Sequence, residues 1–581
     1  MKPRGAGLAL VFFQLGLAAA AAPVYDLVIR NGTVVDGTGQ YRYRADIGII
    51  GDTIAAVGRL DAPDLAARTV DATGLIVTPG FIDLHGHLAD TKGVDNPLVG
   101  PGLFSPDVRY RAAQNYVTQG ITTAVINPDG MQFVPLAQQR TEFTRLGIGL
   151  NVALMTGHMG LRPAVLGNDQ NRPATPEEIT RMQALLLRDL EENGSFGLSL
   201  GLEYSSGRYA STTELVGLAK ILAAHNGLYH AHQRSQGSAP MWYQPSVDVG
   251  VKPPTLSEAL DESLAVAEQT GVKILITHMK GWGPGYRGHA AEYVARIDAA
   301  HARGLRIYID SYSYVSAGSD GDFVPLPAWA VGKDKMPWND PRDTFDYVTA
   351  LKQTLTKDDA RSRLERDIAN SVALKGGAEN IHVLEYPDPT YVGQTLAQLM
   401  AKRLLGLTNL IIALQLEGNP HKAGGAKLRA VSMDERDVMT YFAQPWCAVG
   451  TDGRIVLPED AQGIAKFLGT NQRFFGTFPR RLAYFSGVLK IDSFEEAVRK
   501  CSSLPAGILG LLDRGRIAPG MKADIAVIDL ANLRDNTTLM EPSVYATGLR
   551  YVLVNGQAVI DGDRRTLALP GRVLDPTKPR R

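Results

Sequence analysis

Cysteine is nearly absent. Cys447 and Cys501 are the only two in 581 residues, so a disulfide framework is excluded and one bridge or two buried thiols remain. An excess of charge of one sign is absent too: Lys plus Arg and Asp plus Glu both number 60, giving no formal net charge. That balance argues against broad nucleic-acid binding, which needs a basic stripe to displace counterions, while a locally basic patch stays compatible with it. No low-complexity tail is present, because the 60 Gly and 33 Pro are spread along the chain and mark many short connections. Beyond the first residues no apolar run is long enough to span a bilayer, which takes about 20 residues. What is there is ordinary globular composition, 45% hydrophobic and 21% charged, which excludes a disordered chain. The length is roughly three to four times that of a typical domain, and one large barrel with appendages also fits it.

Lys2 and Arg4 precede an apolar run, Leu8 to Leu17, and a string of alanines ending at Ala22. This is the order of a secretory signal, so residues 1–22 are expected to be removed and the mature protein to be secreted or periplasmic. The chain then reads as short strands. Tyr25 to Arg30, the turn Asn31-Gly32 and Thr33 to Val35 make a hairpin, and Ile47 to Ile50 with Ile54 to Val57 make another. The far end is similar, with Asp524 to Leu530, then Tyr551 to Val554 turning through Asn555-Gly556 into Gln557 to Ile560. Two β-rich ends around a long middle predict one small β-sandwich domain built from residues 23–78 and 513–581.

The middle, residues 79–512, alternates apolar runs with helical stretches, the pattern of a parallel α/β sheet. Candidate strands are Gly80–His87, Ile121–Asn127, Gly149–Thr156, Phe196–Leu202, Leu228–His232, Val272–His278, Leu305–Asp310 and Trp446–Asp452. Eight such strands predict a TIM (β/α)8 barrel, with its active site at the strand C-terminal ends. The spacing before the eighth strand is too long for one helix and predicts a lid-like insertion at about 313–375. Its front carries Phe323, Pro325, Pro327, Trp329, Pro337 and Trp338, while the charged stretch Lys357 to Asp367 reads as an exposed helix face.

His85 and His87 close the first apolar run with Gly86 between them. Residues two apart in a strand point the same way, so both imidazoles can reach one metal ion. His232 and His278 end the fifth and sixth candidate strands, and Asp452 ends the eighth. Four histidines and an aspartate at one rim, out of 11 histidines in all, point to Zn²⁺ or a related divalent metal. His230 also lies two residues from His232, and His158 sits at the third strand end where it can line the cavity. His225, His289, His301, His382 and His421 read as surface or structural residues.

The run Gly80-Phe81-Ile82-Asp83-Leu84-His85-Gly86-His87 resembles the amidohydrolase superfamily signature. Gly197 to Tyr204 (GLSLGLEY), Gly476 to Arg480 (GTFPR) and Gly515 to Gly520 (GRIAPG) resemble the N-acyl-D-amino-acid deacylase (D-aminoacylase) family, and the likeness spans Tyr25 to about Val573. The resemblance implies a TIM barrel with a small β domain and a metal-dependent amide hydrolase holding one or two Zn²⁺ ions. It implies His85, His87, His232 and His278 as metal ligands, Asp452 as ligand and catalytic group, and Lys280, Tyr312 and Arg473 as contacts of the substrate carboxylate. Two positions depart from it. Asp129, in Asn127-Pro128-Asp129-Gly130, stands where the family carries a cysteine ligand, and Asn471-Gln472-Arg473 replaces a His-Pro-Arg. A carboxylate can bind one metal or bridge two, so Asp129 is expected to be a ligand.

The chemistry follows from the donors. Zn²⁺ lowers the pKa of its water to about 7 and gives a hydroxide nucleophile at neutral pH, and Asp452 can act as base and then acid. The expected substrate is a small N-acyl amino acid or related amide. A cyclic amide, ester, carbamate or small peptide is the alternative, and a non-catalytic binding protein on the same scaffold a third reading.

Overall fold

Apolar runs buried on both faces form the strands of the ring. The computed structural model describes residues 24–60, 66–89, 102–316, 323–333, 343–460 and 470–576. The expected signal segment, Pro337 and Trp338 lie outside the described residues. The eight barrel strands are Phe81–His87, Ile121–Ile126, Asn151–Leu154 with Thr156–Gly157, Gly197–Gly201, Leu228–His232, Lys273–Ile276, Ile307–Ser311, and Cys447–Val449 with Gly453–Arg454. All pair in parallel. Their side chains are almost all buried, the composition expected of a parallel sheet covered on both sides.

The third and eighth strands are each broken in the middle, which divides the wall into a four-stranded and a six-stranded arc. Each broken strand lends one half to either arc. The break in the eighth strand is bridged by the Asp452 N–H, which donates to the His85 carbonyl at 2.9 Å, and the Gly450 N–H, which donates to the Ser311 carbonyl at 3.2 Å. The covering helices carry clear start and stop signals. Leu256–Thr270 begins in a reciprocal Thr255–Glu258 capping box and stops at Gly271, whose φ of 68° suits a residue without a Cβ.

The small β domain is built by both chain ends. Its nine strands form one hydrogen-bonded sheet in which Ile76–Pro79 pairs antiparallel with Ile525–Ile528. Leu27, Ile47, Ile54, Val70, Ile525 and Leu553 meet in its core. Pro79 leads through Gly80 straight into the first barrel strand, so this domain anchors the foot of the strand that carries His85 and His87.

The insertion runs further than 375. Its own apolar core extends from Leu326 to Ala430, and an antiparallel pair, Ile381–Glu385 with Lys427–Ala430, lies among its helices. Helix Ala360–Leu374 shows why: Leu364, Ile368 and Val372 face this core while the charged residues of the same helix stay largely outside. Among the described residues no single helix is long and apolar enough to cross a membrane. A bent pair, Leu396–Arg403 and Leu407–Glu417, passes only when combined, and both helices contribute to the insertion core.

Candidate metal centre

The rim expected from the sequence is assembled. His85 Nε2 lies 3.4 Å from Asp129 Oδ1 and 3.7 Å from Asp452 Oδ1, and His87 Nε2 lies 3.2 Å from Asp452 Oδ1. On the other side His232 Nδ1 is 3.5 Å from Asp129 Oδ2, and His278 Nε2 is 3.4 Å from Asp129 Oδ1. Among the described residues three donor groups result: His85, His87, Asp129 and Asp452; Asp129, His232 and His278; and, below them, His85, His230 and Asp310. The first two meet in the cavity. Asp129 belongs to both.

These donors suit a metal. His85 Nε2 and Asp129 Oδ1 are buried and have no hydrogen-bond partner, which is costly for polar atoms unless a ligand satisfies them. The set offers only imidazole nitrogen and carboxylate oxygen, because both cysteines are buried outside it. Burial pushes His85 well below the ordinary histidine range and takes His278 down to about 4, with Lys280 adding to the effect on His278. Neutral imidazoles are the form that ligates. Burial alone would raise the carboxyl of Asp129, but His85 and His232 hold it well below the usual range. Arg473 and His87 do the same for Asp452 against its burial.

The backbone is bent to place these groups. Asp129, His278 and Asp452 have φ of 54°, 35° and 48°, in the left-handed region. Such conformations cost about 1–3 kcal/mol each and persist where the surroundings impose them. Gly201 makes room for one of them: a Cβ there would fall 2.1 Å from the Asp129 carbonyl. Below the ligands, Asp83 accepts from the His85 N–H at 3.0 Å and the Thr451 N–H at 2.9 Å, tying the first strand to the eighth.

Lys280 is 3% exposed on the wall of a cavity of about 750 Å³ that also contains His87, Asp129, His232, His278 and Asp452. Trp242, Trp282 and, from the insertion, Val324 to Ala328 line it as well. Of the three expected carboxylate contacts, Tyr312 and Arg473 are placed differently from Lys280. Neither lines this cavity. The Arg473 guanidinium is fully buried; its Nε donates to the Asp452 carbonyl at 2.8 Å and a terminal nitrogen lies 3.2 Å from Asp452 Oδ2. The Tyr312 ring lies between Lys280 and Arg473, at 5.3 and 5.1 Å from their charges. Asn471 Oδ1 accepts from the Arg473 N–H at 3.3 Å, so the departing tripeptide holds the arginine rather than meeting the cavity.

His158 does not line the cavity either. It begins helix His158–Leu166 and its Nε2 meets Glu214 at 2.7 Å beside Arg162. His230 Nε2 donates to the Leu84 carbonyl at 2.9 Å. Three residues were missed from sequence: Glu203, bound to His232 Nε2 at 2.8 Å; Gln236, whose amide lies 2.8 Å from His278 Nδ1; and Tyr204, whose hydroxyl donates to Asp129 at 3.3 Å. The available signal was a carboxylate directly after an apolar strand at the catalytic rim.

The pattern of a family described as the amidohydrolase family matches residues 438–560. An N-acyl-D-glutamate deacylase of Alcaligenes xylosoxydans xylosoxydans is 31% identical over 571 residues, covering 94% of this chain and 96% of its own. The chain belongs to the N-acyl-D-amino-acid deacylase family of amidohydrolases. Among solved structures, a D-aminoacylase studied for its binuclear metal centre matches this deacylase-family chain with 27% identity and a TM-score of 0.68, covering 95% of this chain and 100% of the other. An N-acyl-D-glutamate deacylase from Bordetella bronchiseptica, complexed with zinc and a phosphonate that mimics the tetrahedral intermediate, matches with 26% identity and a TM-score of 0.67 over 95% and 99% of the two chains. The expectation of one or two zinc ions agrees with these family structures and with the two donor groups that meet at Asp129.

Proposed function

We propose that this chain is a zinc-dependent deacylase that cleaves the amide bond of N-acyl-D-amino acids, with Asp452 as general base and acid. The observation that carries the reading is the pair of donor groups joined at Asp129 beside a buried ammonium, Lys280, in one cavity. The relatives described as acting on N-acyl-D-glutamate support the D series.

Zinc bound by His85, His87, Asp129, His232, His278 and Asp452 would supply Lewis acidity toward the acyl carbonyl and activate water. The remaining work falls to the chain. Asp452 is ionised at neutral pH, because Arg473 and the histidines outweigh its burial. It takes a proton from the attacking water and delivers it to the leaving amine nitrogen. Arg473 orients that carboxylate through its contacts to Oδ2 and the Asp452 carbonyl. Burial lowers Lys280 to about 8, so it carries its charge at neutral pH and can hold the substrate carboxylate. Val324 to Ala328 bring the insertion to the cavity, where they can shape the space left for the acyl group.

The test is hydrolysis of paired N-acetyl-D- and L-amino acids by the full-length, zinc-loaded protein. Cleavage of D substrates is expected, and Asp452→Asn should lose about 10²–10⁴-fold in kcat while keeping most of its zinc on the five other ligands. A zinc-loaded protein inert on the whole panel overturns the reading. The reading includes export, supported by Lys2, Arg4, the run Leu8 to Leu17 and the alanines ending at Ala22. A mature N-terminus near residue 23 is expected, and one still beginning at Met1 would refute cleavage.

A further inference from the structure

Glu203 and Tyr204 take no part in the proton transfers above, yet they stand between the metal centre and the cavity wall. They follow the fourth strand, Gly197–Gly201, which contributes no ligand of its own. Glu203 is 3% exposed. Its Oε2 accepts from His232 Nε2 at 2.8 Å, and its Oε1 accepts from the backbone N–H of Met241 at 2.6 Å. Tyr204 donates its hydroxyl to Asp129 Oδ2 at 3.3 Å and packs its ring on His232, centroids 4.6 Å apart. Met241, Trp242 and Tyr243 form part of the cavity wall.

An ionised carboxylate offers acceptors only, so both Glu203 oxygens are committed to N–H donors. In the neutral ring that ligates a metal, the bond to Nε2 puts the lone pair of His232 on Nδ1, the nitrogen that faces Asp129. One rigid buried group therefore grips a ligand with one oxygen and the cavity wall with the other. His232 and the Met241 backbone are thus linked through two hydrogen bonds and a single side chain.

We propose that Glu203 and Tyr204 are positioning residues that tie the ion site of Asp129, His232 and His278 to the cavity wall at Met241–Tyr243, so that occupancy of that site sets the fit of substrate. The inference rests on the zinc-dependent deacylase reading. Glu203 serves the ligand and the wall together, and Tyr204 holds the other shared ligand, Asp129, in the same frame.

Trp242 reports on this wall. The difference in emission between the parent and Trp242→Phe isolates its signal, read on full-length zinc-loaded protein as a chelator withdraws the metal and zinc is then restored. Its emission is expected to shift as zinc leaves and to recover on reloading. In Glu203→Gln one acceptor becomes a donor, so zinc should be lost to chelator about 10- to 100-fold more readily. The Trp242 response should disappear. At saturating zinc its KM should rise severalfold, with kcat changed less than KM. A silent Trp242 in the parent overturns the coupling, and so does a Glu203→Gln variant with parental zinc retention. If Glu203→Gln does not fold, the parent titration alone decides. A parent that binds no zinc and cleaves no acyl-amino acid defeats the deacylase reading instead, whereas an active, zinc-loaded parent with silent Trp242 defeats only the coupling.

Discussion

Two of the donor groups close on the Asp129 carboxylate, so its removal reaches both at once. Asp129→Asn keeps a residue that tolerates the left-handed backbone and removes the charge. Its zinc content and activity should fall together, whereas Asp129→Cys should retain metal and favour Zn²⁺ over Mn²⁺. Elemental analysis after dialysis checks both, and full zinc in the asparagine variant would reduce Asp129 to a turn former. Lys280 and Arg473 separate by substrate. Lys280→Met should raise KM roughly 10- to 100-fold for substrates with a free carboxylate, the scale of a lost charged hydrogen bond, and leave matched amides little changed. Arg473→Met should depress kcat on both alike, because it acts through Asp452; a loss confined to carboxylate substrates would return it to substrate binding. Strand alternation and strand ends made His85, His87, His232, His278 and Asp452 legible in the sequence. Direction was not legible. Arg473 turns back onto Asp452 from the first position of helix Arg473–Arg480, and His158 faces Glu214 because it starts a helix instead of ending a strand. Glu203 carried no spacing pattern, since its partners His232 and Met241 lie far along the chain.

At the scale of elements, the sixth strand contains an ionic misfit at its foot. Lys273 opens Lys273–Ile276, is 6% exposed, and is lowered to about 8 by burial and by Arg306. Its folded pKa lies below its unfolded one, so the unfolded chain binds more protons between about 8 and 10.5. The destabilisation is therefore full below pH 8 and relieved as the pH rises through that window. Lys273→Met should gain on the order of 1 kcal/mol at neutral pH, and its advantage in thermal midpoint should shrink toward pH 10. An advantage independent of pH would assign the gain to packing instead. The strands themselves were legible as apolar runs. Their interruptions at Met155 and at residues 450–452 were not, because a break imposed by neighbouring strands leaves no local mark in composition.

Across the whole molecule, the insertion and the barrel share one wall. Asp367 on the insertion accepts from the Ser246 N–H and hydroxyl at 2.8 and 2.6 Å and from the Trp329 indole at 2.7 Å. This carboxylate fastens the roof to the loop that carries Met241–Tyr243. Asp367→Ala should raise KM severalfold with kcat and zinc content nearly unchanged, measured by steady-state kinetics and elemental analysis. Unaltered KM would show that roof and loop hold their places separately. The extent of the insertion was not legible, because apolar helix faces after residue 375 do not announce which core they join.

The pairing of Ile76–Pro79 with Ile525–Ile528 has a bearing on how the protein is made. During synthesis the first strands leave the ribosome more than four hundred residues before their partners, and the strand halves flanking Asp452 follow the whole insertion. Contacts so distant in sequence slow folding, since long loops must close before any pairing rewards them. The nascent chain therefore spends its synthesis with an unpaired sheet edge and an open ring, in need of protection from aggregation until its last strands arrive.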